Sequence, residues 1–231
     1  MLDFDAFRVL TFDCYGTLID WERGILDAVR PVFKRHGASI DDDAILEMYA
    51  ETEAALEAGE YMRYEQVLRE AMAGMGRRIG AELAARERRA IALSIKGWKP
   101  FPDTVAALRR LGQRYELAVV SNVDDDLFAH SAGRLGVMFG GVITAQQAGA
   151  YKPSARVFEL ALQRVGQPRE RILHVAQSLY HDVAPAKRLG LATVWVNRRK
   201  GRKGAGATPP CSAVPDLEVA SLADLADAAG V

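Results

Sequence analysis

Short apolar runs recur along the chain, and each ends abruptly in polar or charged residues. The runs cover residues 9–12, 117–120, 142–145 and 172–176. Apolar runs of this length that contain β-branched residues predict strands buried on both faces. After residue 102 the runs alternate with helical patterns, and such alternation indicates a parallel sheet with crossover helices. We therefore expect an α/β fold with a doubly wound parallel sheet.

The segment between the first and second runs has a different pattern. In residues 21–95 apolar positions recur at spacings of three and four, as at Ile25 and Val29, and this spacing predicts amphipathic helices. The segment therefore interrupts the α/β pattern after its first strand. We expect an α/β core domain of residues 1–20 and 96–231 and a helical domain of residues 21–95.

Composition restricts the function classes. Among 231 residues, 30 are Lys or Arg and 30 are Asp or Glu, so the net charge is zero. A neutral chain gives no reason to expect nucleic acid or a membrane as partner. The start of the chain is acidic, unlike a signal peptide. The two cysteines, Cys14 and Cys211, are too few and too distant for a disulfide framework. We expect a cytoplasmic protein, and a homodimer is left open.

Asp13 directly follows the first apolar run, and Gly16 comes three residues later. In an open α/β sheet, ligands bind at the carboxyl ends of the strands, so this carboxylate stands where it can meet a substrate. An aspartate there can act as a covalent nucleophile that splits one displacement into two easier steps. On this run alone, a second interpretation stays open, in which Asp13 caps the next segment and Gly16 makes a turn.

Polar residues also follow the three later runs. Taken in chain order, they are Ser121 and Asn122 after the second run, Lys152 after the third, and Gln177, Ser178 and Asp182 after the fourth. This order of acid, hydroxyl and amide, lysine, and acid resembles the haloacid dehalogenase (HAD) superfamily over residues 9–182. The resemblance implies a doubly wound HAD core with an inserted helical cap that closes over the active site.

Two positions differ from the phosphatases of that superfamily. Tyr15 stands where the phosphatases carry a second aspartate that protonates the departing alcohol, and tyrosine has an ordinary pKa of about 10. Gln177 stands where they carry an acid that holds Mg²⁺, an ion that prefers carboxylates. Both differences point away from phosphoryl transfer and toward displacement at carbon. We expect no metal or cofactor, although weak Mg²⁺ binding through Asp13 and Asp182 stays open.

The sequence Asp-Cys-Tyr-Gly-Thr at residues 13–17 resembles the (S)-2-haloacid dehalogenases, the type II subgroup of this superfamily. The resemblance implies that Asp13 attacks the carbon bearing a halogen in a small 2-substituted carboxylate, and that water hydrolyses the resulting ester. Lys152 would pair with the nucleophile, and Asp182 would orient Lys152 or the water. The implied catalytic residues are Asp13, Thr17, Lys152 and Asp182, and the implied substrate-binding residues are Tyr15, Arg63, Ser121, Asn122, Gln177 and Ser178.

Alternatives for the substrate stay open. Arg63 is the nearest candidate for the cap arginine that grips the substrate carboxylate in the dehalogenases. Residues 12–22 with 178–182 resemble a subgroup that includes azetidine-2-carboxylate hydrolase, in which a protonated ring amine is the leaving group. A small-molecule HAD phosphatase is a further alternative. A non-enzymatic relic of the fold would be expected to lack Asp13 or Lys152, and both are present.

The tail carries a basic run from Arg198 to Lys203, which predicts a solvated loop, with a rim for an anionic substrate as the alternative. Residues 217–219 predict a final edge strand. Ser221 predicts the cap of a short last helix.

Overall fold

Six parallel strands form the central sheet in a computed structural model, which describes residues 2–231. The strands, in chain order, are β1 (Val9–Phe12), β2 (Glu116–Ser121), β3 (Gly141–Thr144), β4 (Ile172–Ala176), β5 (Ala192–Val196) and β6 (Leu217–Val219). Their spatial order is β3-β2-β1-β4-β5-β6, and every neighbouring pair is parallel. The winding reverses between β1 and β4, where doubly wound sheets bind ligands. The predicted α/β fold is confirmed.

Helices cover both faces of the sheet, so its central strands are buried throughout. All four residues of β1 and all five of β4 are buried, as expected for parallel strands that meet helices on each side. Phe12 pairs with Val119 of β2 and with Val175 of β4. Because of this register, the residues that follow these three strands emerge side by side. The α-helices that follow residue 102 are α6 (Thr104–Leu111), α7 (Asp125–Leu135), α8 (Ala145–Ala148), α9 (Ala155–Val165), α10 (Ala184–Arg188) and α11 (Leu222–Ala228).

A purely helical segment separates β1 from β2. It contains α1 (Trp21–Arg35), α2 (Asp42–Glu57), α3 (Tyr64–Arg78), α4 (Ala85–Arg88) and α5 (Ala90–Ser94). These helices occupy the position where the spacing of apolar residues predicts them, and we call residues 21–95 the cap. Asp20 begins α1 by accepting a hydrogen bond from the backbone N–H of Arg23.

Contacts of three carboxylates tie the cap to the strand-bearing part of the chain. Asp124, which is fully buried, accepts hydrogen bonds of 3.1 Å each from the backbone N–H groups of Tyr64 and Glu65. It therefore satisfies the free donors at the start of α3, where a negative charge also meets the helix dipole. On the other side, Arg199 donates to Glu22 of α1 at 2.8 Å and to Asp43 of α2 at 2.7 Å.

The predicted solvated loop is correct for only part of the basic run. Lys200, Arg202 and Lys203 are exposed, but Arg199 is only 8% exposed and Arg198 is bound to Asp103 at 2.8 Å. The prediction is wrong for these two arginines because each finds a carboxylate partner. Their guanidinium groups hold the loop after β5 against the cap and against the turn before α6.

The last part of the chain follows the sequence pattern. Strand β6 adds to the edge of the sheet beside β5, and the Ser221 hydroxyl accepts a hydrogen bond from the Asp224 backbone at the start of α11. Cys14 and Cys211 are both free thiols. None of the helices within residues 2–231 combines the length and the apolar character that crossing a membrane requires.

Candidate active site

Asp13, Lys152 and Asp182 meet at the carboxyl end of the sheet. The ammonium nitrogen of Lys152 lies 2.8 Å from Asp13 Oδ1, 2.7 Å from Asp182 Oδ1 and 2.9 Å from the carbonyl oxygen of Val120. Each of the three ammonium protons therefore has an acceptor. Lys152 is 1% exposed. The sequence prediction that Lys152 approaches Asp13 within salt-bridge distance agrees with this geometry.

Loops after three different strands position this trio. Lys152 follows β3 and α8, and its backbone is fixed by Asn122, the first residue after β2. The Asn122 side chain accepts from the Lys152 N–H at 2.7 Å and donates to the Lys152 carbonyl at 3.1 Å. Asp182 lies in a π-helical turn, Leu179–Val183, that follows β4. Such widened turns are frequent at functional sites.

The second oxygen of the Asp13 carboxylate is held by Thr17. Thr17 Oγ1 donates to Asp13 Oδ2 at 2.7 Å and accepts from the backbone N–H of Gln177 at 2.8 Å. Gly16 allows this turn, because its φ is +94° and a Cβ there would lie 2.7 Å from the indole nitrogen of Trp21. With Lys152 on one oxygen and Thr17 on the other, the carboxylate of Asp13 has a fixed orientation.

His174 is a member of the site that the sequence analysis missed. Its Nε2 lies 3.0 Å from Asp182 Oδ1, its Nδ1 lies 2.9 Å from Thr11 Oγ1, and the residue is 1% exposed. The imidazole thus connects strand β1 to the acid after β4 and holds Asp182 toward Lys152. The available signal was a polar residue within an otherwise apolar strand, since such a residue needs a buried partner.

Burial and charge set the protonation of the trio. Burial raises the pKa of Asp13, and the neighbouring Asp182 carboxylate adds to that effect, while Lys152 and Thr17 oppose it. For Asp182, burial acts to raise the pKa, but Lys152 and His174 outweigh it and hold it below the ordinary value. For Lys152, burial acts to lower the pKa, but the two carboxylates outweigh it and raise the pKa. Asp13 is therefore the more basic carboxylate, as suits a nucleophile.

A cavity lies directly above Asp13, between the sheet and the cap. Its empty volume is about 360 Å³, part of which opens to solvent. The cavity is lined by Asp13, Tyr15, Trp21, Glu53, Glu57, Tyr64, Ser121, Asn122, Lys152, Ser178, His181, Asp182 and Thr208.

The cap contributes two buried carboxylates to this cavity, and the sequence analysis missed both. Glu53 accepts hydrogen bonds from the hydroxyls of Tyr49 at 2.5 Å and Tyr64 at 2.6 Å, and burial raises the pKa of Glu53 to about 7. Glu57 Oε2 accepts from Asn122 at 3.0 Å, and burial raises the pKa of Glu57 well above its ordinary value. The available signal was the spacing of four that places Tyr49, Glu53 and Glu57 on one face of α2.

Four of the predicted substrate-binding residues line the cavity. Ser121 is fully buried, and within residues 2–231 its hydroxyl has no hydrogen-bond partner. Ser178 accepts from the His181 backbone and caps the π-helical turn. Asn122 joins the Lys152 loop to Glu57. Tyr15 contributes its ring, while its hydroxyl lies 2.9 Å from Ser131 Oγ and is engaged there.

Arg63 and Gln177, which the sequence predicted as substrate-binding residues, do not line this cavity. Arg63 is about half exposed and pairs with Asp124 at 3.4 Å and Asp126 at 2.7 Å, because both acids lie beside the start of α3. Gln177 is absent from the cavity lining, and its backbone N–H serves Thr17 instead. Across residues 2–231, the cavity wall contains no arginine.

The residues do not fit the Mg²⁺ site of the related phosphatases. The ammonium of Lys152 lies between Asp13 and Asp182, where it uses one oxygen of each carboxylate. Gln177 supplies no carboxylate, and a hard cation such as Mg²⁺ needs several oxygen ligands in octahedral geometry. In the described part of the chain, three or more His, Cys, Asp or Glu side chains do not converge on a position that could hold a metal ion.

Known proteins with the same architecture share this arrangement of sheet and cap. The chain is 29% identical to (S)-2-haloacid dehalogenase H-109 of Pseudomonas putida over 224 residues, covering 94% of this chain and 96% of that protein. It is 30% identical to haloacetate dehalogenase H-2 of Moraxella sp. (strain B) over 198 residues, covering 83% and 86%. The L-2-haloacid dehalogenase structure of Xanthobacter autotrophicus with chloropropionic acid covalently bound has the same fold, with a TM-score of 0.79 at 20% identity and coverage of 96% and 97%. The profile of the haloacid dehalogenase-like hydrolase family matches residues 7–190, and the chain belongs to that family of hydrolases.

Proposed function

We propose that this protein hydrolyses a small 2-substituted carboxylate by displacement at carbon, through a covalent ester of Asp13. One observation carries the proposal. Asp13 faces the cavity with Lys152 on one carboxylate oxygen and Thr17 on the other. A carboxylate held in this way is oriented for attack, and it is the more basic acid of the trio.

The reaction proceeds in two steps. In the first, an oxygen of Asp13 bonds to the electrophilic carbon, and the bond from that carbon to the leaving group breaks with the electron pair on the leaving group. In the second, water attacks the carboxyl carbon of the Asp13 ester. The bond to the product oxygen breaks, a 2-hydroxy acid is released, the carboxylate is restored and one proton is lost. The Lys152 ammonium stabilises the negative charge that develops on the ester oxygen, and Asp182 keeps Lys152 in place.

The leaving group must depart without a proton from the enzyme. Tyr15 stands where a phosphatase carries its acid, but burial raises the pKa of Tyr15 far above neutrality and its hydroxyl is engaged with Ser131. A halide meets this requirement, and so does an amine that arrives protonated. We propose that the reaction is independent of metal, because Lys152 supplies the positive charge beside Asp13.

Dehalogenation of (S)-2-haloacids is the first reaction to test. It is supported by the relatives of 29–30% identity, which are named as haloacid and haloacetate dehalogenases. Ring opening of azetidine-2-carboxylate would use the same ester chemistry. Both reactions predict a small-molecule substrate and a 2-hydroxy acid as product.

A substrate screen with and without chelator tests the proposal. We expect turnover of (S)-2-chloropropionate or azetidine-2-carboxylate that is unchanged by EDTA and negligible release of phosphate from p-nitrophenyl phosphate. Asp13→Asn should abolish turnover, whereas the matched control Asp126→Asn, at an exposed position, should retain it. Phosphate release that requires Mg²⁺, at ordinary enzyme rates above ~1 s⁻¹, would overturn the proposal in favour of a phosphatase.

A further inference from the structure

The cavity wall carries more carboxyl groups than the chemistry at Asp13 requires. Asp13 and Asp182 are joined there by Glu53 and Glu57 of the cap, so four carboxylates face the one ammonium of Lys152. The nearby imidazole of His181 adds no positive charge at neutral pH, because burial lowers its pKa to about 4. Nothing else on the wall within residues 2–231 is cationic.

Glu57, which lines this space, has an unused acceptor. Its side chain is 5% exposed, and Oε2 is bound by Asn122 while Oε1 has no hydrogen-bond partner within residues 2–231. A buried acceptor without a partner is unfavourable. On the cavity wall, Ser121 Oγ and His181 Nε2 are also buried without a hydrogen-bond partner in the described chain, and His181 Nε2 lies 3.7 Å from Glu57 Oε2. Three unpartnered polar atoms around one cavity indicate a place for a hydrogen-bonding ligand.

The charge of the wall decides what that ligand is. A carboxylate placed against Glu57 would meet a second carboxyl group, and no arginine is present to offset like charge. An ammonium group carries three donors, so it can satisfy Glu57 Oε1, and its positive charge favours the ionised form of the neighbouring carboxyl groups. Glu53 contributes a second carboxyl group to this part of the wall, since it lies one helical turn from Glu57 on the same face of α2.

We propose that Glu57, supported by Glu53, forms a subsite for a protonated amine, so that the 2-substituted carboxylate of the proposed function also bears an ammonium group. The inference names the substrate class for the proposed function and rests on it for the chemistry at Asp13. The binding itself does not depend on that chemistry. Glu57 is joined through Asn122 to the backbone of Lys152, so the amine is placed beside the nucleophile.

Three small probes of similar shape test the subsite: isopropylammonium, isobutyrate and isopropanol. None of the three carries a halide or a strained ring that Asp13 could open, so binding reports the subsite alone. By calorimetric titration at constant ionic strength, we expect isopropylammonium to bind at least tenfold more tightly than isobutyrate or isopropanol. The affinity should rise from pH 6 to pH 8 as Glu53, whose pKa burial raises to about 7, loses its proton.

Glu57→Gln should reduce the affinity for isopropylammonium at least tenfold. It should also reduce the ratio of the affinity for isopropylammonium to the affinity for isobutyrate. Glu47→Gln removes the same charge from an exposed position of the same helix and should change neither value. Equal binding of the cation and the anion by the wild-type protein, or an unchanged preference in Glu57→Gln, would overturn the subsite. If Glu57→Gln does not fold, as judged by circular dichroism, the test of the subsite is whether the wild-type protein binds isopropylammonium more tightly than isobutyrate.

The two proposals fail in different ways. If cation binding depends on Glu57 but no Asp13 ester forms during turnover, the subsite is supported and the proposed chemistry is refuted. An Asp13 ester formed from (S)-2-chloropropionate, together with no preference for the cation, would leave the chemistry and refute the subsite.

Discussion

The ammonium nitrogen of Lys152 lies 2.8 Å from Oδ1 of Asp13, and both residues are buried at the carboxyl end of the sheet. A positive charge tethered to the chain thus stands beside the nucleophile. Asp182 holds the same ammonium from the other side at 2.7 Å. The three charges form one unit, in which removal of any member leaves another buried without its partner.

Lys152→Met removes the positive charge from this unit. We expect kcat/KM to fall by at least ~10³, because both the nucleophile and the developing oxyanion lose their ammonium partner. The free energy of unfolding should fall by about 3–5 kcal/mol, the usual cost of leaving buried charges unpaired. Steady-state kinetics and urea unfolding measure the two effects.

Lys187→Met is the matched control for that experiment. Lys187 pairs with Asp216 in a partly exposed ion pair, and such pairs contribute about 0–1 kcal/mol. Activity of Lys152→Met within tenfold of the wild type would contradict the assigned role of Lys152.

Thr17→Val tests the second contact of the nucleophile. The hydroxyl of Thr17 stabilises the ionised form of Asp13, so its loss should raise the pKa of Asp13 and move the acid limb of the pH–rate profile upward. The backbone N–H of Gln177 also loses its acceptor, which should cost about 1–3 kcal/mol of stability. Thr17→Ser keeps the hydroxyl and should keep the wild-type profile. If the acid limb of the pH–rate profile is the same in Thr17→Val and Thr17→Ser, the Thr17 hydroxyl does not act on Asp13.

Glu53 should make stability depend on pH. Its pKa in the folded protein is about 7, against an ordinary value of 4.5. The folded state therefore binds more protons than the unfolded state between these values, and stability falls as pH rises through that window. The loss should reach about 3 kcal/mol above pH 7, since one pKa unit corresponds to about 1.4 kcal/mol. Glu53→Gln should remove this loss in urea unfolding at pH 5 and pH 8. If the free energy of unfolding changes between pH 5 and pH 8 by the same amount in the wild type and in Glu53→Gln, the assignment is contradicted.

Asp124 should stabilise the junction between the cap and the sheet. Asp124→Ala removes the acceptors of two backbone N–H groups at the start of α3, and such a loss costs about 0.5–2 kcal/mol. The neighbouring Asp126 is exposed and pairs only with Arg63 in the described chain, so Asp126→Ala should cost at most about 1 kcal/mol. Thermal unfolding of the two variants measures the difference. A smaller loss for Asp124→Ala than for Asp126→Ala would contradict the role of Asp124.

The sequence was informative where chemistry follows the strands. Asp13 lies just beyond an apolar run, and Lys152 and Asp182 lie within seven residues of one. Parallel strands bring such positions to one edge of the sheet. The runs therefore predicted the fold, and the family resemblance implied that these three residues act together.

Residues supplied by the cap were not predictable in the same way. Glu53 and Glu57 lie on a helix face, and an acid on a helix is normally solvated, so their burial depends on how the cap packs against the sheet. Arg63 was predicted as the nearest candidate for the cap arginine of the dehalogenases. In the structure Arg63 forms ion pairs with Asp124 and Asp126. Such long-range pairing leaves no periodic signal in the sequence.

The central claim is that Asp13 forms the covalent ester. It is tested most directly by a single turnover in ¹⁸O-water, with enzyme in excess over a substrate identified in the screen, followed by mass spectrometry of the Asp13 peptide and of the product. We predict that the first ¹⁸O atom appears in the Asp13 carboxylate and that the product carries unlabelled oxygen, because water attacks the ester at its carboxyl carbon. Labelled product together with an unlabelled Asp13 would show direct attack of water on the substrate and contradict the account.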